Sequence, residues 1–207
     1  MTLDEALAAC PVIAIIRGVR PVEAVAIGEA LFDAGLRGVE VPLNSPDALE
    51  SIRRLSAAFG EHMVIGAGTV LHPDRVDEIQ TAGGRIIVSP NTNPTVIART
   101  RALGLEPIPG VATPTDAFVA IDAGARHLKL FPASTYGPGH VSQIRAVLPS
   151  GVTVWAVGGV GAGDFQTWWD AGVRAFGLGS ELYKPGRSAK DVGERARRVV
   201  AAARMLT

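Results

Sequence analysis

One short pattern recurs along the 207 residues: an Ala-Gly pair, two or three further residues, then an apolar run. It stands at Ala34-Gly35 before Val39-Glu40-Val41, at Ala82-Gly83 before Ile86-Ile87-Val88, at Ala123-Gly124 before Leu128-Lys129-Leu130, and at Ala171-Gly172 before Ala175-Phe176-Gly177. Leu103-Gly104 before residues 105–108 is a looser copy. A glycine in that place suits the end of a helix, where the backbone must turn through positive φ before entering a strand. Filling in the remaining apolar runs gives eight candidate strands, at 12–16, 38–42, 63–67, 85–89, 105–109, 126–131, 152–157 and 174–178. Their starts lie roughly 20 to 26 residues apart, about the length of one strand-helix unit. Helical patterns fill the gaps, among them 21–34, 73–81, 94–103 and 114–122, each opening on a proline as first helical turns often do.

Eight such units with no long insertion, linker or low-complexity stretch predict a single-domain α/β fold over 1–207, a (β/α)8 TIM barrel. A doubly wound open sheet is the competing architecture, but it usually needs only five or six strands. Lys+Arg and Asp+Glu are 20 each, so no bulk charge recruits nucleic acid or a membrane surface, and any anion must be held locally. No run approaches the ~18 apolar residues of a membrane span, and Cys10 is the single cysteine, leaving no internal disulfide. These features predict a cytoplasmic protein without nucleic-acid or membrane partners. The four histidines lack ligand spacing, so no metal site is expected.

In such a barrel chemistry sits at the C-terminal ends of the strands. The polar groups there are Arg17, Glu40, Thr69, the Ser89-Pro90-Asn91 turn, Lys129, Gly158-Gly159 and Gly179-Ser180. Of twenty basic residues only Lys129, Lys184 and Lys190 are lysines, and Lys129 alone lies inside an apolar strand. Strand alternation sets His127, Lys129 and Phe131 on one face and Leu128 and Leu130 on the other, which aims Lys129 into the barrel mouth. Desolvation there would bring its amine into a nucleophilic range. Two blander readings stay open for such a lysine: a pair with a buried carboxylate, or a buried stem with a solvated head. Glu40, flanked by Val39 and Val41, faces the same mouth, either as a proton shuttle or as the ion-pair partner of Lys129 or Arg17. Arg17 offers a fork suited to a carboxylate or a solvated charge, and Thr69 a hydroxyl for a ligand or for a helix start. Glycine turns after the last two strands are where barrels often cradle phosphate. His127 reads as a packing residue, and Trp168-Trp169 as core or a subunit contact.

Taken in order, several stretches resemble one family. They are Pro11-Val12-Ile13-Ala14-Ile15-Ile16-Arg17-Gly18, Val39-Glu40-Val41-Pro42-Leu43-Asn44-Ser45-Pro46, Gly66-Ala67-Gly68-Thr69-Val70-Leu71, Leu128-Lys129-Leu130-Phe131-Pro132, Ala156-Val157-Gly158-Gly159-Val160 and Gly177-Leu178-Gly179-Ser180. Over 11–202 the chain is similar to the class I aldolases of 2-dehydro-3-deoxy-phospho-aldonates. The resemblance implies Lys129 as the Schiff-base lysine and Glu40 as general acid/base. It also implies Arg17 and Thr69 at the pyruvyl end, Pro90 among the substrate-binding residues, and Gly158, Gly159, Gly179 and Ser180 around the phosphate. It further implies no cofactor, a phosphorylated keto-deoxy sugar acid and pyruvate as the molecules bound, and a homotrimer. Val157 and the Pro42–Pro46 stretch favour the branch acting on the galactonate epimer over the gluconate one. A phosphate-barrel isomerase or synthase with a purely electrostatic Lys129, or a non-catalytic sugar-phosphate sensor, would be the alternatives on the same barrel.

Overall fold

Consecutive parallel strands cannot be joined by tight turns; each needs a crossover, and here the crossovers are helices. The structure, a computed structural model, describes residues 1–206. In chain order the elements are α1 (Leu3–Ala9), β1 (Val12–Ile15), α2 (Pro21–Asp33), β2 (Gly38–Pro42), α3 (Ala48–Phe59), β3 (Val64–Gly68), α4 (Asp74–Thr81), β4 (Ile86–Val88), α5 (Pro94–Ala102) and β5 (Glu106–Ile108). They continue with β6 (Gly110–Val111), α6 (Pro114–Asp122), β7 (His127–Leu130), α7 (Ala133–Tyr136), α8 (Pro138–Arg145), β8 (Thr153–Val157), α9 (Phe165–Asp170), β9 (Ala175–Leu178) and α10 (Ala189–Ala203). Every strand pair is parallel, in the order β5-β4-β3-β2-β1-β9-β8-β7-β6, a nearly closed single-domain barrel.

The fifth apolar run departs from expectation. It is two short strands, β5 paired with β4 and β6 paired with β7, with Pro109 between them. Pro109 has no N–H to donate, so the ladder loses one of its bonds there. Its carbonyl still accepts the Lys129 N–H at 2.9 Å. The two ends of the sheet are therefore successive pieces of one chain, and eight expected strands become nine. The glycines at the helix ends do adopt positive φ, from 72° at Gly104 to 106° at Gly124. Helix α1 carries no apolar repeat; its signature is local, a capping box in which Thr2 and Glu5 each accept the other's backbone N–H.

Strand residues alternate between two apolar layers. One face packs on the helices, with Val39, Val41, Ala156 and Phe176 among the buried side chains. The other fills the barrel, where Ile13, Val64, Ile86, Ile108, Trp155 and Val157 meet Leu3 and Ala6 of α1. That helix thus plugs the N-terminal end and leaves the C-terminal end open. His127 belongs to the plugged end, where its Nδ1 accepts the Trp155 indole N–H at 3.2 Å, so packing is its role. Trp168 is buried in the helix layer, while Trp169 packs against that layer with the Arg174 guanidinium over its ring. Among the described residues no helix is long and apolar enough to cross a membrane.

The rings of Phe165 in α9 and Phe176 in β9 stack at 4.2 Å, both fully buried. Phe176→Ala should lower unfolding free energy by about 3–5 kcal/mol in a denaturant titration, the usual loss for a buried aromatic. A loss under about 1 kcal/mol would mean that this layer does not hold the barrel together.

Candidate active site

The open end of the barrel holds a cavity of about 220 Å³. Arg17, Glu40, Thr69, Pro90, Lys129, Val157, Gly158, Gly159, Gly179 and Ser180 all line it, so the residues picked from sequence converge on one place. A larger cavity of about 500 Å³ opens at the plugged end beside Cys10 and Arg204. Among the described residues its lining has no lysine, and its only acidic residue is Asp4. The smaller cavity also takes in Phe131, which strand alternation sets on the face of Lys129, and Ile15 and Glu181, which sequence patterning did not single out.

Lys129 is placed by β7. Its neighbours Leu128 and Leu130 turn outward to the helices, and Lys129 turns inward, 5% exposed. Its Nζ lies over the Phe131 ring, 4.8 Å from the centroid. Burial pushes the Lys129 pKa down to about 8; the Glu40 carboxylate pulls it up, and Arg17 pushes it down again. Glu40 is placed in the same way by β2, inward between outward-facing Val39 and Val41. Burial raises its pKa to about 7, against downward pulls from Lys129 and Arg17. One of its oxygens, Oε2, is buried with no hydrogen-bond partner, an uncommon state for such an atom and one that a bound hydroxyl or water would satisfy.

Room for Glu40 comes from the neighbouring strand. Gly68 ends β3 on the same inward face, and a Cβ there would fall on the Glu40 Oε2 atom. The next residue, Thr69, holds φ at +58°. A β-branched residue in that region carries strain of about 1–3 kcal/mol, of the kind that gathers at functional sites. Across the mouth, the exposed Arg17 donates to the amide oxygen of Asn44, and the Gly18 N–H donates to Ser45 Oγ at 2.9 Å. Asn44 is neutral, so it orients the guanidinium without cancelling its charge. The Leu43-Asn44-Ser45 stretch is thus a brace for the Arg17 loop, a part that motif reading alone could not assign.

The cavity therefore gathers a partly deprotonated amine, a carboxyl titrating near neutrality, a cation braced by a neutral partner, and glycine turns rich in backbone N–H. Such a set can form and break imines of keto acids. Residues 3–196 match the model of the KDPG and KHG aldolases. The chain belongs to that family. Among relatives of the KDPG and KHG aldolase family, it is 46% identical over 194 residues to the 2-dehydro-3-deoxy-6-phosphogalactonate aldolase of Escherichia coli (strain K12), covering 94% of this chain and 95% of that one. It superposes on a native KDPGal structure with a TM-score of 0.93 at 45% identity, covering 95% of each chain. The KDPG aldolase of Legionella pneumophila, captured with pyruvate as a covalent carbinolamine, gives a TM-score of 0.83 at 26% identity, covering 100% of this chain and 98% of that one.

Gly68→Ala should leave this aldolase folded and lower kcat/KM about a hundredfold, because the added methyl displaces the Glu40 carboxylate by an ångström or more. Steady-state kinetics beside a thermal melt checks this. Full activity would mean that the position of Glu40 does not matter to turnover.

Proposed function

We propose that this chain is a class I aldolase that cleaves 2-dehydro-3-deoxy-6-phospho-D-galactonate to pyruvate and D-glyceraldehyde 3-phosphate. The observation that carries this reading is the inward pair Lys129 and Glu40, both 5% exposed, at the open end of the barrel. With a pKa of about 8, about a fifth of Lys129 is free amine at pH 7.4, against about 0.1% for an ordinary lysine.

In the proposed cycle the Lys129 amine attacks the C2 ketone, and Glu40 supplies the proton that lets the carbinolamine lose water. The resulting iminium accepts the electron pair of the C3–C4 bond as Glu40, now a carboxylate, removes the proton of the C4 hydroxyl. D-glyceraldehyde 3-phosphate leaves, and the enamine takes a proton at C3. Water then adds to the iminium and releases pyruvate and the free amine. A carboxyl with a pKa of about 7 suits both directions of proton transfer. Arg17 and Thr69 would hold the substrate carboxylate, with Pro90 closing that side. The N–H groups around Gly158, Gly159, Gly179 and Ser180 would hold the phosphate.

Preference for the galactonate epimer is supported by 46% identity to the Escherichia coli galactonate enzyme, against 26% to the Legionella gluconate one. Val157 would set that preference, as an apolar wall beside Gly177 that offers no hydrogen bond to a substrate hydroxyl. A homotrimer and a cytoplasmic location complete the proposal. Phe118 and Val119, adjacent and exposed on α6, are apolar surface that a subunit contact would cover. The one cysteine, buried Cys10, suits a reducing compartment.

Incubation with pyruvate and borohydride should place a reduced adduct on the Lys129 peptide by mass spectrometry. An adduct only on Lys184 or Lys190 sinks the imine assignment. The initial trapping rate should climb with pH to a midpoint near 8, as the ammonium gives up its proton. Because the Glu40 anion raises the lysine pKa, Glu40→Gln should move that midpoint to lower pH while turnover falls about 10²- to 10⁴-fold. A midpoint moving upward would contradict the pairing. Cleavage rates on the two epimers settle the substrate: kcat/KM should favour the galactonate compound, and a preference for gluconate would reverse the epimer assignment.

A further inference from the structure

A carboxylate sits in the glycine-rich end of the cavity. Glu181 follows Ser180 directly and lines the same cavity as Gly159 and Ser180. Both of its carboxylate oxygens accept the backbone N–H of Ala162, at 3.3 and 3.2 Å. The neighbouring Gly161 N–H goes to Asp164 Oδ2 at 3.4 Å. A Cβ at Gly161 would stand 3.0 Å from Glu181 Oε2, a close contact that the glycine relieves. By contrast, the N–H groups of Gly159, Val160 and Ser180 meet no backbone carbonyl among the described residues.

Among the described residues no side-chain ion pair engages this carboxylate. The basic residues that line the cavity are Arg17 and Lys129, both assigned above to the pyruvyl end and the imine. Arg187 is near, but it grips the carbonyl oxygens of Ser180 and Glu181 at 2.8 and 3.0 Å and faces Asp191 at 3.6 Å. Arg195 likewise donates to the Glu181 carbonyl oxygen, at 3.3 Å. A phosphate in the cradle would thus be held by backbone dipoles and would meet the Glu181 charge, while the two neighbouring guanidiniums are engaged by main-chain oxygens and Asp191.

We propose that Glu181 is a resident counter-anion of the phosphate cradle, a positioning residue that keeps the 158–162 turn formed when no phosphate is bound and weakens phosphate binding when one is. This rests on the reading of the glycine turns as the phosphate site. The carboxylate satisfies the Ala162 N–H at the end of the turn and so holds that end in place while the neighbouring N–H groups stand empty. An incoming phosphate is repelled by the same charge, so its affinity is lower than the N–H groups alone would give. The consequence is a cradle that is ordered before substrate arrives and that releases the phosphorylated product readily.

Glu181→Gln separates charge from shape, because the amide oxygen still accepts from Ala162. The probe is inorganic phosphate as a competitive inhibitor of cleavage by the full chain, wild type and variant, with a thermal melt to confirm folding. Each inhibition constant is normalised to pyruvate trapping on the same protein, since pyruvate carries no phosphate. The expected result is a phosphate inhibition constant lower by roughly threefold to tenfold in the variant, the range for one partly exposed charge beside a dianion. KM for the phosphorylated substrate should fall with it, without a matching rise in kcat. If phosphate competes equally with both proteins, or more weakly with the variant, the cradle stands and the role given to Glu181 is wrong. If phosphate does not compete with the wild type at all, the phosphate reading itself fails and this inference falls with it.

Discussion

Taking a lysine and a glutamate out of water together is costly, and the interior of this barrel does so within a few ångströms of solvent. Each group is held away from its usual charge state by burial and pulled back toward it by the other. Neither alone would rest there comfortably: an isolated buried ammonium would simply lose its proton, and an isolated buried carboxylate would keep one. Facing one cavity, with pKa values of about 8 and about 7, both titrate in the range where a cell works. The remaining features of the mouth serve that pair. Phe131 covers the amine, Gly68 leaves room for the carboxylate, and Asn44 orients Arg17.

That arrangement depends on an uneven division of side chains inside the barrel. The plugged end is filled by Ile13, Val64, Ile86 and Trp155, with α1 beneath them. Toward the open end the inward positions of β3, β6 and β9 fall to Gly66, Gly68, Gly110 and Gly177. Large residues at one end and missing side chains at the other make a floor with a cavity above it. Stability and reactivity are thereby assigned to opposite ends of the same strands, as is usual for this architecture.

Much of this was legible in the chain. The Ala-Gly punctuation located the helix ends, and strand alternation gave the inward direction of Lys129 and Glu40, because both depend on neighbours a few residues away. The break at Pro109 was less visible, although proline's missing N–H is a local fact, since an apolar run with prolines still reads as a strand until its partners are known. Helix α1 escaped the periodic reading because seven residues are too few to show a period. The roles of Asn44 and Glu181 were out of reach. Each acts on a group from another part of the chain, Arg17 in one case and the Ala162 N–H in the other.

By itself, then, the sequence determined the alternation and order of strands and helices apart from the break at Pro109 and helix α1, which residues face inward, and, through its ordered motifs, the aldolase family. These follow from periodicity and turn chemistry, which act over a few residues. Only the tertiary structure decided that the glycine turns, Arg17, Thr69, Lys129 and Glu40 enclose one cavity, that Gly68 makes space for the carboxylate, and that a second carboxylate lines that cavity and accepts the Ala162 N–H. Closure of the sheet brings residues more than a hundred positions apart into contact, and desolvation, the force that sets the chemistry of this pair, exists only once that closure has excluded water.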